Sequence, residues 1–139
     1  MINFFAENSF VFKNEKNYED WLRRVIVSEG KELEEINYIF CDDEYLLEIN
    51  QKYLDHDTFT DIISFDYSVG KILQGEIYIS TERVSENAQE FGVSFEEELK
   101  RVMVHGILHL CGYKDKTTEE ESEMRQKEEE KIQMFHVEQ

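Results

Sequence analysis

The chain has 139 residues, 15 basic against 32 acidic, and a formal net charge of −17. That length fits a single domain over 1–139 with its own core, and the acidic excess opposes spontaneous attraction to nucleic acid or anionic lipid unless a basic patch or a bound cation intervenes. Two cysteines in apolar surroundings, an opening MINFFAENSFVF without a basic leader or cleavage pattern, and the lack of a long apolar run read against a disulfide scaffold, a signal peptide and a membrane span.

A soluble cytoplasmic protein is therefore expected. Proline is absent and glycine scarce, so no linker divides the chain. Ile2 and Phe4 alternate with Asn3 in a first short strand. Residues 18–29 read as a helix with Trp21, Leu22, Val25 and Ile26 on one stripe. Ile36, Tyr38 and Phe40 share one face of a second strand over 35–41. Asp42 and Asp43 can cap the next helix, in which Leu46, Ile49 and Tyr53 recur at helical spacing. DIISFDY at 61–67 and GEIYIS at 75–80 are rich in strand formers and read as a hairpin across SVGKILQ.

From Thr81 onward the pattern is helical. One helix over 81–91 closes at Gly92. Ser94 and Glu97 form a capping box for the next, whose buried stripe runs through Phe95, Leu99, Val102, Met103, Gly106 and Leu110 to a stop at Gly112. In the tail TTEEESEMRQKEEEKIQMF, Thr117 or Thr118 opens a helix. Glu121 with Arg125 and Glu123 with Lys127 are spaced as surface pairs, and Met124, Ile132 and Phe135 supply the packing face.

The chemistry concentrates in HGILHLCGYKD, 105–115. Residues four apart on a helix rise by about 6 Å on one face, so His105 and His109 can aim their imidazoles at one centre. An isolated histidine is ordinarily a hydrogen-bonded core residue. A pair at this spacing, on a helix stopped three residues later by glycine, reads instead as two ligands of a metal. The bend at Gly112 lets Asp115 swing back as a third ligand. Three protein ligands leave a fourth position open, which is the catalytic rather than the structural arrangement of zinc. The residue after the first histidine is Gly106, where a HExxH protease carries its glutamate base, which argues against an ordinary zinc protease.

HGILHLCGYKD resembles the HGxLHLxGYDH motif of the YbeY family, bacterial endoribonucleases tied to 16S ribosomal RNA maturation and ribosome quality control. TDIISFDY at 60–67 resembles the family's TDVLSFP, GEIYIS its GDIxIS strand, and INQKYL at 49–54 its LNxxYR. The resemblance implies an α+β domain with a mixed sheet of about four strands, surrounding helices and a metal site at the end of a central helix. It implies one zinc ion, or another divalent metal, held by His105, His109 and the position of the third histidine. That position is Asp115, with His136 as the lesser substitute. The implied partners are single-stranded RNA, ribosomal RNA and the ribosome.

Two further departures concern phosphate binding. The family's arginine is Leu54 here, and the proline ending TDVLSFP is Asp66. Lys52, Lys71 and Lys114 can stand in as point charges, and a strip of Lys52, Lys71, Arg101, Lys114 and Lys116 beside the metal would offset the acidic field. Glu76 is the candidate catalytic base, with Asp61 and Ser64 as further residues of the cleft. The competing readings are a metal-dependent hydrolase of another substrate class and a non-catalytic, ribosome-associated metal-binding protein.

Overall fold

The strand-forming runs pair into one mixed sheet in a computed structural model that describes residues 1–54 and 60–137, with side chains described as far as 135. Among the described residues there are four strands, β1 (Ile2–Ala6), β2 (Glu32–Cys41), β3 (Ile62–Asp66) and β4 (Ile72–Ser80), in the order β1-β2-β4-β3. β1, β2 and β4 run parallel, and β3 pairs antiparallel with β4 as the expected hairpin. Both β2 and β4 begin three residues earlier than the sequence pattern suggests, because Glu32 pairs with Ile72 and Leu33 with Leu73. Each strand is extended by its neighbour rather than by its own alternation.

Five helices accompany the sheet among the described residues: α1 (Glu15–Ser28), α2 (Asp43–Leu54), α3 (Thr81–Phe91), α4 (Phe95–Leu110) and α5 (Thr118–Val137). One sheet face carries Ile36, Tyr38, Phe40, Leu73, Ile77 and Ile79. It packs against Trp21, Leu22, Val25 and Ile26 of α1 and against Val102, Met103 and Ile107 of α4. Each fully buried aliphatic side chain here contributes about 1.5–3 kcal/mol. The opposite face takes α2, through Leu46 and Ile49, onto Ile63, Phe65 and Tyr78. The Asp42 carboxylate accepts from the Tyr45 N–H at 2.9 Å, so Asp42 caps α2. Asp43 instead accepts from Ser80 and pairs with Arg83.

α4 is buried nearly all round and crosses the sheet at Gly106. A Cβ there would meet Ile77 Cδ1 at 3.0 Å and Ile62 Cδ1 at 3.1 Å. The glycine thus admits the sheet itself, not a substrate. Two calibrated stops frame α4. Ser94 Oγ accepts from the Glu97 N–H at 3.1 Å at its start. At its end Gly112 adopts φ 107°, the Gly112 N–H bonds to His109 O, and the Tyr113 N–H bonds to Leu108 O. That pair of bonds is a Schellman motif.

α5 departs from the expected solvated helix with an apolar stripe. Its buried side is Met124, Glu128, Lys131 and Phe135, with two charged residues in the middle. The surface pairs expected within the helix give way to contacts with other partners. Lys127 lies 3.6 Å from Glu29 of the α1 C-cap and 3.5 Å from Glu130, and Arg125 lies 3.9 Å from Glu128. Trp21 Nε1 donates to the carbonyl of Lys131 at 2.7 Å and fastens α5 to α1. No described helix is long and apolar enough to cross a membrane.

Candidate metal centre and its cleft

The last turn of α4 and the bend after it bring three donor atoms together. His105 Nε2 and His109 Nε2 are 3.0 Å apart, and Asp115 Oδ2 lies 3.2 Å from the first and 3.3 Å from the second. A tetrahedral ion with ligands at about 2.05 Å has ligand-to-ligand edges of about 3.3 Å, so this triangle has the size a zinc-like ion needs.

The other ring nitrogens fix which atoms face the triangle. His109 Nδ1 is 3.0 Å from the Tyr113 carbonyl, and His105 Nδ1 is 2.5 Å from Glu128 Oε2. A carbonyl and a carboxylate only accept, so both Nδ1 atoms donate. In the neutral rings both Nε2 lone pairs then point at each other and at a carboxylate oxygen. Three electron-rich atoms in mutual contact repel unless a cation lies between them, and His105, His109 and Asp115 form a group that could hold one. Cys111 takes no part. Burial pushes its thiol up to about 11, and it lines a separate hollow with Glu29 and Tyr113.

The triangle opens into a cleft of about 750 Å³ between α2, β3 and the end of α4. Leu54, Ile62, Ile63 and Leu110 give it apolar walls, and Asn50, Thr60, Asp61, Ser64, Asp66 and Lys116 supply its polar groups. Asp61 is deeply placed. Burial pushes its carboxyl above the ordinary aspartate value, against the pull of the Arg101 guanidinium. A smaller hollow on the far side of His105 and Asp115 is lined by Arg101, Glu121, Arg125 and Glu128.

Several expected site residues are brought together and others are not. His105, His109, Asp115, Asp61 and Ser64 share the cleft. Glu76, the base expected beside the metal, is not among the residues that line the cleft. It sits on β4 between Gly75 and Ile77, and since Ile77 faces α4, strand alternation turns Glu76 to the opposite side, where the Tyr67 hydroxyl lies 3.5 Å from it.

The basic strip is not assembled either. Lys116 is the one member lining the cleft among the described residues. Arg101 is engaged by Glu98 at 2.6 Å, Glu128 at 3.4 Å and Asp61 at 3.7 Å. Lys52 lies over Tyr53, Lys114 lines the hollow beside Cys111, and Lys71 is in the turn before β4. His136 falls outside the described side chains. Sequence reasoning missed Asn50 and Glu128. Asn50 is a buried polar residue that stands at the asparagine of LNxxYR but was given no role there, and Glu128 is one of three consecutive glutamates with no local mark to single it out.

An α+β domain with a four-stranded mixed sheet, carrying a His-His-Asp cluster at the C-terminal end of a buried helix, is the class that fold and site define. The family model described as Endoribonuclease YbeY matches residues 3–136, and the chain belongs to that family. Proteins named Endoribonuclease YbeY from Flavobacterium johnsoniae and Christiangramia forsetii are 64% and 62% identical. The first match covers all of both chains, and the second covers 99% of this chain and 96% of the relative. The solution structure of TM1509 from Thermotoga maritima matches with a TM-score of 0.68 at 32% identity, over 99% of this chain and 91% of that one.

Proposed function

We propose that this protein is a zinc-dependent endoribonuclease that cuts single-stranded RNA, acting on ribosomal RNA at the ribosome in the cytoplasm during 16S maturation and quality control. The observation that carries the reading is the convergence of His105 Nε2, His109 Nε2 and Asp115 Oδ2 within 3.0–3.3 Å at the floor of an open cleft. Membership of a family whose named relatives are endoribonucleases supports the substrate class.

A bound divalent ion supplies Lewis acidity toward a scissile phosphodiester and offsets the acidic field of the chain. The protein's residues do the rest. His105 and His109 present neutral nitrogen donors, and Asp115 adds one negative charge in place of a third imidazole. Asp61, in the cleft and readier than an ordinary aspartate to hold a proton, takes the proton-moving role first expected of Glu76. Lys116 meets a backbone phosphate. The apolar walls at Leu54, Ile62, Ile63 and Leu110 accept unpaired bases. A duplex would offer such a cleft little besides phosphates, which Asp61 and Asp66 repel, whereas a single strand can turn its bases inward.

One observation favours a second reading, a hydrolase of a less charged substrate: the cleft holds a single lysine against three aspartates. Metal analysis of the purified protein, with single-stranded RNA cleavage by wild type, His109→Ala, Asp115→Ala and Asp115→His, separates the two. Ligand removal should abolish cleavage and weaken metal binding by more than the roughly 10- to 100-fold typical of a residue that only supports a ligand. Asp115→His should retain both. Metal binding without any RNA cleavage would favour the second reading, and wild-type protein that binds no metal would end both.

A further inference from the structure

The geometry points to Glu128 as the positioning residue of the metal centre, a role that rests on the reading of His105 as a metal ligand. Glu128 comes from the middle of α5, 23 residues beyond His105, and its side chain is 2% exposed. A carboxylate so enclosed carries a large desolvation cost unless its oxygens are engaged. Here Oε2 accepts from His105 Nδ1 at 2.5 Å, and Arg101 Nη1 lies 3.4 Å from Oε1 and 3.5 Å from Oε2. The buried charge is therefore met by the His105 imidazole and the Arg101 guanidinium, with Arg125 Nε farther off at 3.9 Å from Oε1. Arg101 is itself anchored in the fork of Glu98.

This contact acts on the histidine in two ways. It holds the proton on Nδ1 and leaves the Nε2 lone pair for the ion. It fixes the ring rotation that keeps Nε2 3.0 Å from its counterpart on His109. His109 has only a neutral backbone acceptor, the Tyr113 carbonyl, for the same purpose. The charged partner belongs to His105 alone, and it arrives from a different helix. Glu128 thus ties α5 directly to His105, and ion binding and docking of α5 support each other.

Zinc affinity of the purified full chain, measured by competition with a chromophoric chelator, tests this for wild type, Glu128→Gln and the exposed control Glu129→Gln. Glu128→Gln keeps the size of the side chain and removes its charge, and should weaken zinc binding about 10- to 100-fold, with Glu129→Gln unchanged. Long-range proton–nitrogen correlation spectra of wild type should show His105 protonated at Nδ1. Equal affinity in Glu128→Gln overturns the inference while leaving the metal reading in place. A wild-type protein that binds no zinc overturns the metal reading itself. Should Glu128→Gln fail to fold, the wild-type spectrum decides, because His105 protonated at Nε2 is incompatible with the role.

Discussion

Gly106→Ala probes the seam between the metal-bearing helix and the sheet. The new Cβ would lie 3.0 and 3.1 Å from Ile77 Cδ1 and Cγ2 and 3.1 Å from Ile62 Cδ1. Comfortable carbon contacts are about 3.5–4.0 Å, so helix and sheet must part by several tenths of an ångström. Alanine gains about 1 kcal/mol over glycine in helix propensity, while overpacking a core of this kind costs about 1–3 kcal/mol. The net expectation is a loss of about 0–2 kcal/mol in urea melts. Ile77→Val removes Cδ1, costs about 0.5–1.5 kcal/mol alone, and should relieve the alanine in a double-mutant cycle by about 0.5–1 kcal/mol.

The effect on the site should split. All three ligands lie on α4 and the turn it ends in, so they move as one body and zinc affinity should hold. Ile62 also walls the cleft, so RNA cleavage should fall. A Gly106→Ala protein that gains the full propensity increment, with no coupling to Ile77→Val, would refute the close approach of helix and sheet.

Two other predictions concern α5. Lys131, nearly buried, lies 2.8 Å from Glu29, and Lys131→Met should cost about 3 kcal/mol, the low end for breaking a buried pair because Glu29 keeps Tyr113 and Lys127. Burial pushes the Glu29 carboxyl up, but hydrogen bonds from Lys131 and Tyr113 outweigh it and hold the group below its usual range. Burial likewise works against the Lys131 ammonium, but Glu29 and Glu130 hold it above its usual range. The advantage of wild type over Lys131→Met should therefore be full between about pH 4.3 and pH 10.4, the unfolded values of the two groups. It should shrink as pH falls through the lowered folded value of Glu29 and again as pH rises through the raised value of Lys131. Urea melts in acid and at neutrality check this, and a gap that widens in acid contradicts it. Thr117→Ala removes an N-cap whose hydroxyl accepts from the Glu120 N–H at 3.1 Å while Glu120 accepts in return from the Thr117 N–H at 3.0 Å. Thermal melts should show a loss of about 1 kcal/mol, and an unchanged melt would mean the cap is idle.

The elements legible in the sequence are those whose residues answer to their own neighbours. Alternation marked β1 and β2, helical spacing marked α1 and α4, and Gly92 and Gly112 marked helix ends that do adopt left-handed backbone. The histidine pair was legible for the same reason, since spacing on one helix fixes direction. The ends of β2 and β4 were not, because Glu32 and Ile72 are strand residues by virtue of pairing with each other. The face of Glu76 was not, because alternation says which residues share a side without saying which side meets α4. Arg101 belongs by sequence to the expected basic strip, but in the fold Glu98, Glu128 and Asp61 surround it.

What the chain determined unaided was a helix that ends on two imidazoles and a bend that can return an acid to them, since both depend on contacts within eleven residues. What only tertiary structure decided was the surroundings of that cluster: acidic and apolar walls in place of a basic strip, and a glutamate from the far end of the chain behind His105. A run of glutamates on a helix has one local pattern whether a given member faces water or a buried imidazole. The choice is made by the helix packed opposite, and burial then gives that one carboxylate an energetic weight its neighbours lack.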